Sequence, residues 1–328
     1  MGQFQPLKRS ATLMKNNESM VGKLQTSTPN SKPVIIRKKK INSRMITFYL
    51  MVIPAALLFF AFHTLPALKG IYYSFTNWNG IALDYDFVGF KNYINLFKDQ
   101  AILDSYGFTF KFAVVGAILI NLFSLVLAVG LNAKIKGKNF FRAVYFLPNI
   151  LSVLIVGFIF NFFFTSILPD IGEKYGIGFL TQNILGNADL AWIGILLVFL
   201  WQSCAFNIIL YLSGLQTVPT ELYEASSLDG ANRWQQFWKV TFPVIAPFFT
   251  INMVLSMKNS LMVFDQIVAM TNGGPGYSTT SIALLIYNGG FSGGEFAYQS
   301  ANAVIYFIVI MAISVFQLKV LQKREMNM

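Results

Sequence analysis

Inside its long apolar runs the chain carries a few amides and hydroxyls, and their spacing is chemically informative. Asn252, Ser256, Asn259 and Ser260 fall at i, i+4, i+7 and i+8, which puts them on one stripe of a helix. Trp201, Gln202, Phe206 and Asn207 offer a similar mixture one apolar run earlier. Polar side chains within an apolar span are costly and usually face a cavity or a partner helix. Amides and hydroxyls suit hydrogen bonding to a polar ligand, and aromatic faces suit its apolar surfaces. The same side chains also join helices in membranes. From the residues alone both readings stand.

Other chemistry is sparse. His63 is the one histidine and Cys204 the one cysteine, which excludes a disulfide framework and a Cys/His metal cluster. His63 reads as a hydrogen-bonded interfacial side chain, and Cys204 as a small buried thiol. No G-x-x-x-x-G-K-[ST] phosphate loop occurs, so the chain has no such ATP site of its own. Lys258 lies in an apolar run, where a charge needs a partner or water. Asp265, seven residues on, is the expected partner, in a structural ion pair; a hydrated cavity, an acidic ligand or a partner subunit are the other readings.

The elements that position these residues follow from composition. Of 328 residues, 55% are apolar and 12% charged, against about a quarter charged in soluble domains. The class is a polytopic membrane protein, all α-helical. Ten of the 25 Lys and Arg lie in residues 1–44, a polar segment read as a disordered basic tail beside the membrane rather than a nucleic-acid surface. Apolar runs able to cross about 30 Å of hydrocarbon lie near 45–68, 110–132, 142–165, 190–213, 244–269 and 300–320. Lys134, Lys136, Lys138 and Arg142 follow the second run, and Lys319, Lys323 and Arg324 follow the sixth. Segment 166–190 holds only Lys174, and 271–299 holds no Lys or Arg. The positive-inside rule therefore predicts both termini cytoplasmic. The outer segment 271–299 has seven glycines and a centre, SIALLIY, too short to span; it predicts a short helix at the outer mouth.

Between the fourth and fifth runs lies ELYEASSLDGANRWQQFWKVTFPV, residues 221–244. Pro219 and Thr220 open a helix, Asp229-Gly230 breaks it, a second helix follows, and Pro243 marks entry to the fifth span. Leu222, Ala225 and Leu228 give one apolar face, and Trp234, Phe237 and Trp238 another. Such faces in water need a partner to bury them, or lipid headgroups to lie on.

Glu224-Ala225-Ser226, then three residues, Gly230, nine residues and Val240-x-Phe242-Pro243 closely resembles the EAA loop of permease subunits of bacterial ABC importers. That pattern has Ala where Ser226 stands, and Ile-x-Leu-Pro where Val240 to Pro243 stand. FVGFKNYINLF (87–97), FFRAVYFLPNIL (140–151) and FDQIVAMTNGGPGYSTT (264–280) look like permeases of the carbohydrate, maltose-importer kind. The resemblance covers roughly residues 45–325 and leaves the basic tail out.

The resemblance implies six transmembrane helices in a type I ABC importer permease architecture. It implies a coupling loop, 217–243, in which Glu224, Ala225, Ser226, Asp229 and Gly230 dock into a separate cytoplasmic ATPase. It places Gln202, Ser203, Phe206, Ser256, Asn259, Ser260 and Val263 along the sugar pathway, with Asn252 on the same stripe. Gln202 and Val263 depart from the maltose-importer residues, which leaves the ligand open. The implied partners are a second permease subunit, two ATPase subunits that bind ATP and Mg, an extracellular solute-binding protein and a saccharide, in the bacterial cytoplasmic membrane. No catalytic role, cofactor or metal is expected on this chain. A permease for another solute, such as glycerol phosphate, is the neighbouring alternative. An ion-coupled secondary transporter would need inverted repeats and a buried carboxylate, and only Asp265 offers one. A membrane enzyme would need clustered His, Asp or Glu.

Overall fold

The computed structural model describes residues 43–133 and 136–325; the predicted basic tail, but for its last two residues, lies outside them. Helices α1 (Thr47–Tyr73), α2 (Lys91–Leu96), α3 (Gln100–Asn132), α4 (Lys138–Ile150), α5 (Val153–Tyr175), α6 (Ala191–Leu215), α7 (Thr220–Leu228), α8 (Arg233–Leu261), α9 (Asp265–Met270), α10 (Ile282–Ser292) and α11 (Phe296–Glu325) follow in order. Six of them, α1, α3, α5, α6, α8 and α11, are long and apolar enough to cross a membrane. No strand forms among the described residues, only an isolated bridge between Thr76 and Phe87.

Residues up to Leu57 and those from Leu58 onward form two units. The described part of the first is the start of α1, whose Phe48, Leu50 and Met51 are exposed. The second holds the core. There α6 is central, packed on α3 and α8, while α8 also packs on α11 and α9 on α5. Phe112, Ile120, Ile195, Tyr211, Ile245 and Ile267 are fully buried among these helices. More than half of the most apolar stretch of α6 is buried, and none of that of α1.

Several boundaries differ from those read in the sequence. The run 142–165 is two helices. Pro148 removes a backbone donor, Leu151 and Ser152 turn extended (ψ 140 and 131), and the span proper starts at Val153. The fifth span ends at Leu261 rather than 269; Met262–Phe264 break the helix before α9. It also starts earlier, at Arg233, so the second half of the polar loop belongs to the same helix. α3 starts ten residues before the expected 110, capped by the Asp99 carboxylate accepting from Ala101 N at 3.0 Å.

Helices α1, α5 and α8 each continue through a proline, and a π-helical turn before it explains how. A proline ring clashes with the carbonyl four residues before it. Each of Pro66, Pro169 and Pro243 follows a π-helical turn: Phe60–Thr64, Phe163–Ile167 and Phe237–Thr241. The wider turn relieves the clash without ending the helix. Pro243 is therefore interior to α8, not its start.

Candidate functional site: an exposed helical arm and a polar cavity

The arm is built by local capping. Pro219, extended at ψ 138, delivers the chain to α7. At its end Ala231 N donates to Ser226 O (3.0 Å) and Gly230 takes φ 77°. A Cβ at Gly230 would meet no atom within 4 Å, so the left-handed backbone alone calls for glycine there. Asn232 then starts α8 with a reciprocal capping box: Gln235 N donates to Asn232 Oδ1 and Asn232 N to Gln235 Oε1, both 2.9 Å. Gln236 Nε2 donates to Ser227 Oγ (2.8 Å), and the Tyr223 and Thr241 hydroxyls meet at 2.8 Å. Those two bonds fix α7 against the first turns of α8.

This frame holds Glu224, Ala225, Asp229 and Gly230 exposed, with Ser226 half-buried and its Oγ donating to Tyr223 O (2.9 Å). Leu228 is 90% exposed and Trp234 70%. Trp234, Phe237, Trp238 and Phe242 stack in sequence, with neighbouring rings 5.1–6.5 Å apart. A rigid arm thus presents a carboxylate, a small-residue face and uncovered apolar groups.

The cavity lies where two helices break. The α4–α5 junction contributes Pro148, Asn149 and Val153; α6 contributes Gln202, Ser203, Phe206 and Asn207; α8 and α9 contribute Asn259 and Gln266. It encloses about 210 Å³. Irregular backbone at membrane depth is tolerated where it lines such a space. Gln202 is 6% exposed, and neither amide atom has a hydrogen-bond partner within the protein. Asn207 Nδ2 donates to Ser203 O (2.8 Å), and its buried Oδ1 is unpartnered. These groups are acceptors and donors without an internal match.

The predicted pathway residues divide. Gln202, Ser203, Phe206 and Asn259 come together on the cavity. Asn252, Ser256, Ser260 and Val263 do not line it; all four are buried. Ser256 joins helices: Asn121 Nδ2 donates to Ser256 Oγ (2.6 Å) and to Ala117 O (2.7 Å), while Tyr211 OH donates to Asn121 Oδ1 (2.7 Å). Ser260 Oγ faces Gly116, where a Cβ would sit 3.1 Å away. Val263 is core, and its carbonyl accepts from Ser281 Oγ at 2.9 Å. Ser256 and Ser260 lie about 60° and 100° around the helix from Asn259, while Asn252 shares its side but lies two turns, about 10 Å, along the axis.

The sequence reading missed Asn149 and Gln266. An amide beside a helix-breaking proline, and one in an apolar run, were the available signals. The ion pair expected between Lys258 and Asp265 does not form: both are exposed, and the break at Met262–Phe264 removes the helical register between them. Among the described residues, no three His, Cys, Asp or Glu side chains converge on a metal position.

Comparison with known proteins places this geometry. Residues 120–326 match the model of a family described as binding-protein-dependent transport system inner membrane component. The multiple sugar-binding transport system permease protein MsmF of Streptococcus mutans is 43% identical, over 85% of this chain and 95% of its own. The probable starch degradation products transport system permease protein AmyD of Thermoanaerobacterium thermosulfurigenes is 40% identical, over 89% and 99%. A chain of a bacterial ABC transporter that imports the acidic polysaccharide alginate superposes with a TM-score of 0.75 at 21% identity, covering 85% of this chain and 96% of that one. The six apolar helices are thus those of a multi-pass permease, and the chain belongs to the family of binding-protein-dependent transport system inner membrane components.

Proposed function

We propose that the chain is the membrane-spanning permease subunit of an ATP-driven importer, and that it moves a saccharide, an oligosaccharide in particular, across the bacterial cytoplasmic membrane. Both termini face the cytoplasm, as the Lys/Arg distribution supports. A second permease subunit completes the pathway, and two separate ATPase subunits bind ATP and Mg. An extracellular solute-binding protein delivers the ligand. The names borne by MsmF and AmyD support the saccharide.

One observation carries the reading. Helix α8 runs unbroken from Arg233, in the arm, to Asn259, on the cavity wall, and ends at Leu261. At 1.5 Å per residue that is about 40 Å. Closure of an ATPase dimer gripping Glu224, Ala225, Ser226, Asp229 and Gly230 is transmitted along this rod, rocking Asn259 against Gln202 and Phe206. The cavity then alternates between the two membrane faces. Amides at Gln202, Asn207 and Asn259 exchange hydrogen bonds with sugar hydroxyls, and Phe206 stacks on a ring. Uptake of a labelled oligosaccharide by the reconstituted complex tests this. ATP-dependent accumulation that requires the binding protein supports it; accumulation driven by an ion gradient without ATP contradicts it.

A further inference from the structure

A second cavity, of about 420 Å³, opens at the end of α6 that leads into the arm. Its wall is apolar from Leu131, Phe146, Ile208 and Leu212, and ends in Ser213 and Gln216. Arg142 of α4 enters it from the side. The Nε and Nη2 of Arg142 are buried and have no hydrogen-bond partner.

Arg142 as a whole is half-buried; a guanidinium stays charged under all ordinary conditions, and covering two of its nitrogens without a partner is unfavourable. Among the described residues no carboxylate bonds these two nitrogens, and the sequence has no Asp or Glu between Asp104 and Asp170 or in α6. Lys134, Lys136 and Lys138 lie in the same segment. Meanwhile Phe141, Val144, Tyr145 and Ile209 remain exposed beside the cavity. An unmatched cation at the head of an apolar slot fits a molecule with an anionic head and a hydrocarbon tail. Basic pockets between transmembrane helices hold lipid headgroups in this way.

We infer that Arg142 and the cavity between α4 and α6 form a binding site for an anionic phospholipid, with the phosphate on the guanidinium and an acyl chain along Phe146, Ile208 and Ile209. The site lies at the end of α6 that leads into the arm and shares no lining residue with the polar cavity of Gln202 and Asn259.

The full-length chain, purified with its co-expressed partners in detergent, is titrated with labelled phosphatidylglycerol, phosphatidylcholine and inorganic phosphate. Saturable phosphatidylglycerol binding is expected, weakened about tenfold by Arg142→Gln, the loss of one charge-assisted hydrogen-bonding group. Lys136→Gln, on the same segment, should change it less than about twofold, the scale of an exposed charge. Ile209→Trp, which fills the slot and keeps the arginine, should also weaken it, so a folding defect in one variant does not decide the matter. Equal affinity in Arg142→Gln and the parent overturns the site. Displacement of the lipid by inorganic phosphate at equal concentration assigns the pocket to a free anion and overturns the lipid. Loss of a partner subunit in Arg142→Gln with lipid binding unchanged assigns the guanidinium to a subunit carboxylate and also overturns it.

Discussion

Gln202 and Asn121 are both buried amides near the centre of the helical core, and the structure gives them opposite jobs. Asn121 is satisfied by Ser256, Ala117 and Tyr211, whereas Gln202 has no internal partner. Replacing a satisfied amide strands its partners, at about 1–3 kcal/mol, while removing an unsatisfied one does not. Asn121→Leu should therefore lower the unfolding temperature in detergent. Gln202→Leu should leave it unchanged or raise it, yet lower saccharide uptake several-fold. Gly230 is separable again. Its φ of 77° costs a side chain roughly 1–2 kcal/mol. Gly230→Val should distort the arm and reduce ATPase retention on purification, with membrane insertion intact. The sequence showed that Gln202 and Ser256 were polar residues in apolar runs. It could not show which had a partner, because Asn121 lies 135 residues from Ser256.

Helix order and span number were legible because long apolar runs and Lys/Arg asymmetry are properties of local sequence. The breaks and the continuations were not. Pro148 lies inside one expected run, 142–165, yet the helix breaks just after it, whereas Pro243 reads as a boundary and is interior to α8. A π-helical turn before Pro243 keeps α8 whole and joins the arm to the cavity. The break at Met262–Phe264 has no proline or glycine to announce it, and α9 beyond it packs on α5. That contact is unusually close: a Cβ at Gly157 would lie 2.5 Å from Ala269 Cβ. Overpacking of this sort costs roughly 1–3 kcal/mol. Gly157→Ala should destabilise the protein in thermal unfolding, and adding Ala269→Gly should restore most of the loss. Failure of that rescue would show that the spacing of α5 and α9 is not set by this pair.

At the scale of the whole molecule, the exposed surfaces are consistent with a subunit built for an assembly. The most apolar stretch of α1 is uncovered, and the arm holds Leu228 and Trp234 open to solvent. On the function proposed above, a separate ATPase gripping the arm would cover those apolar groups and give α8 a force to transmit. Cys204, the one cysteine, is buried, so a reporter thiol can be introduced on a Cys204→Ser background. Cross-linking from Ala225→Cys, in the arm, to the co-expressed ATPase subunit is the most direct test. We predict a covalent adduct with the ATPase from Ala225→Cys, and none from Thr181→Cys, on the loop between α5 and α6. No adduct from Ala225→Cys, or an equal one from Thr181→Cys, would contradict the docking role of the arm.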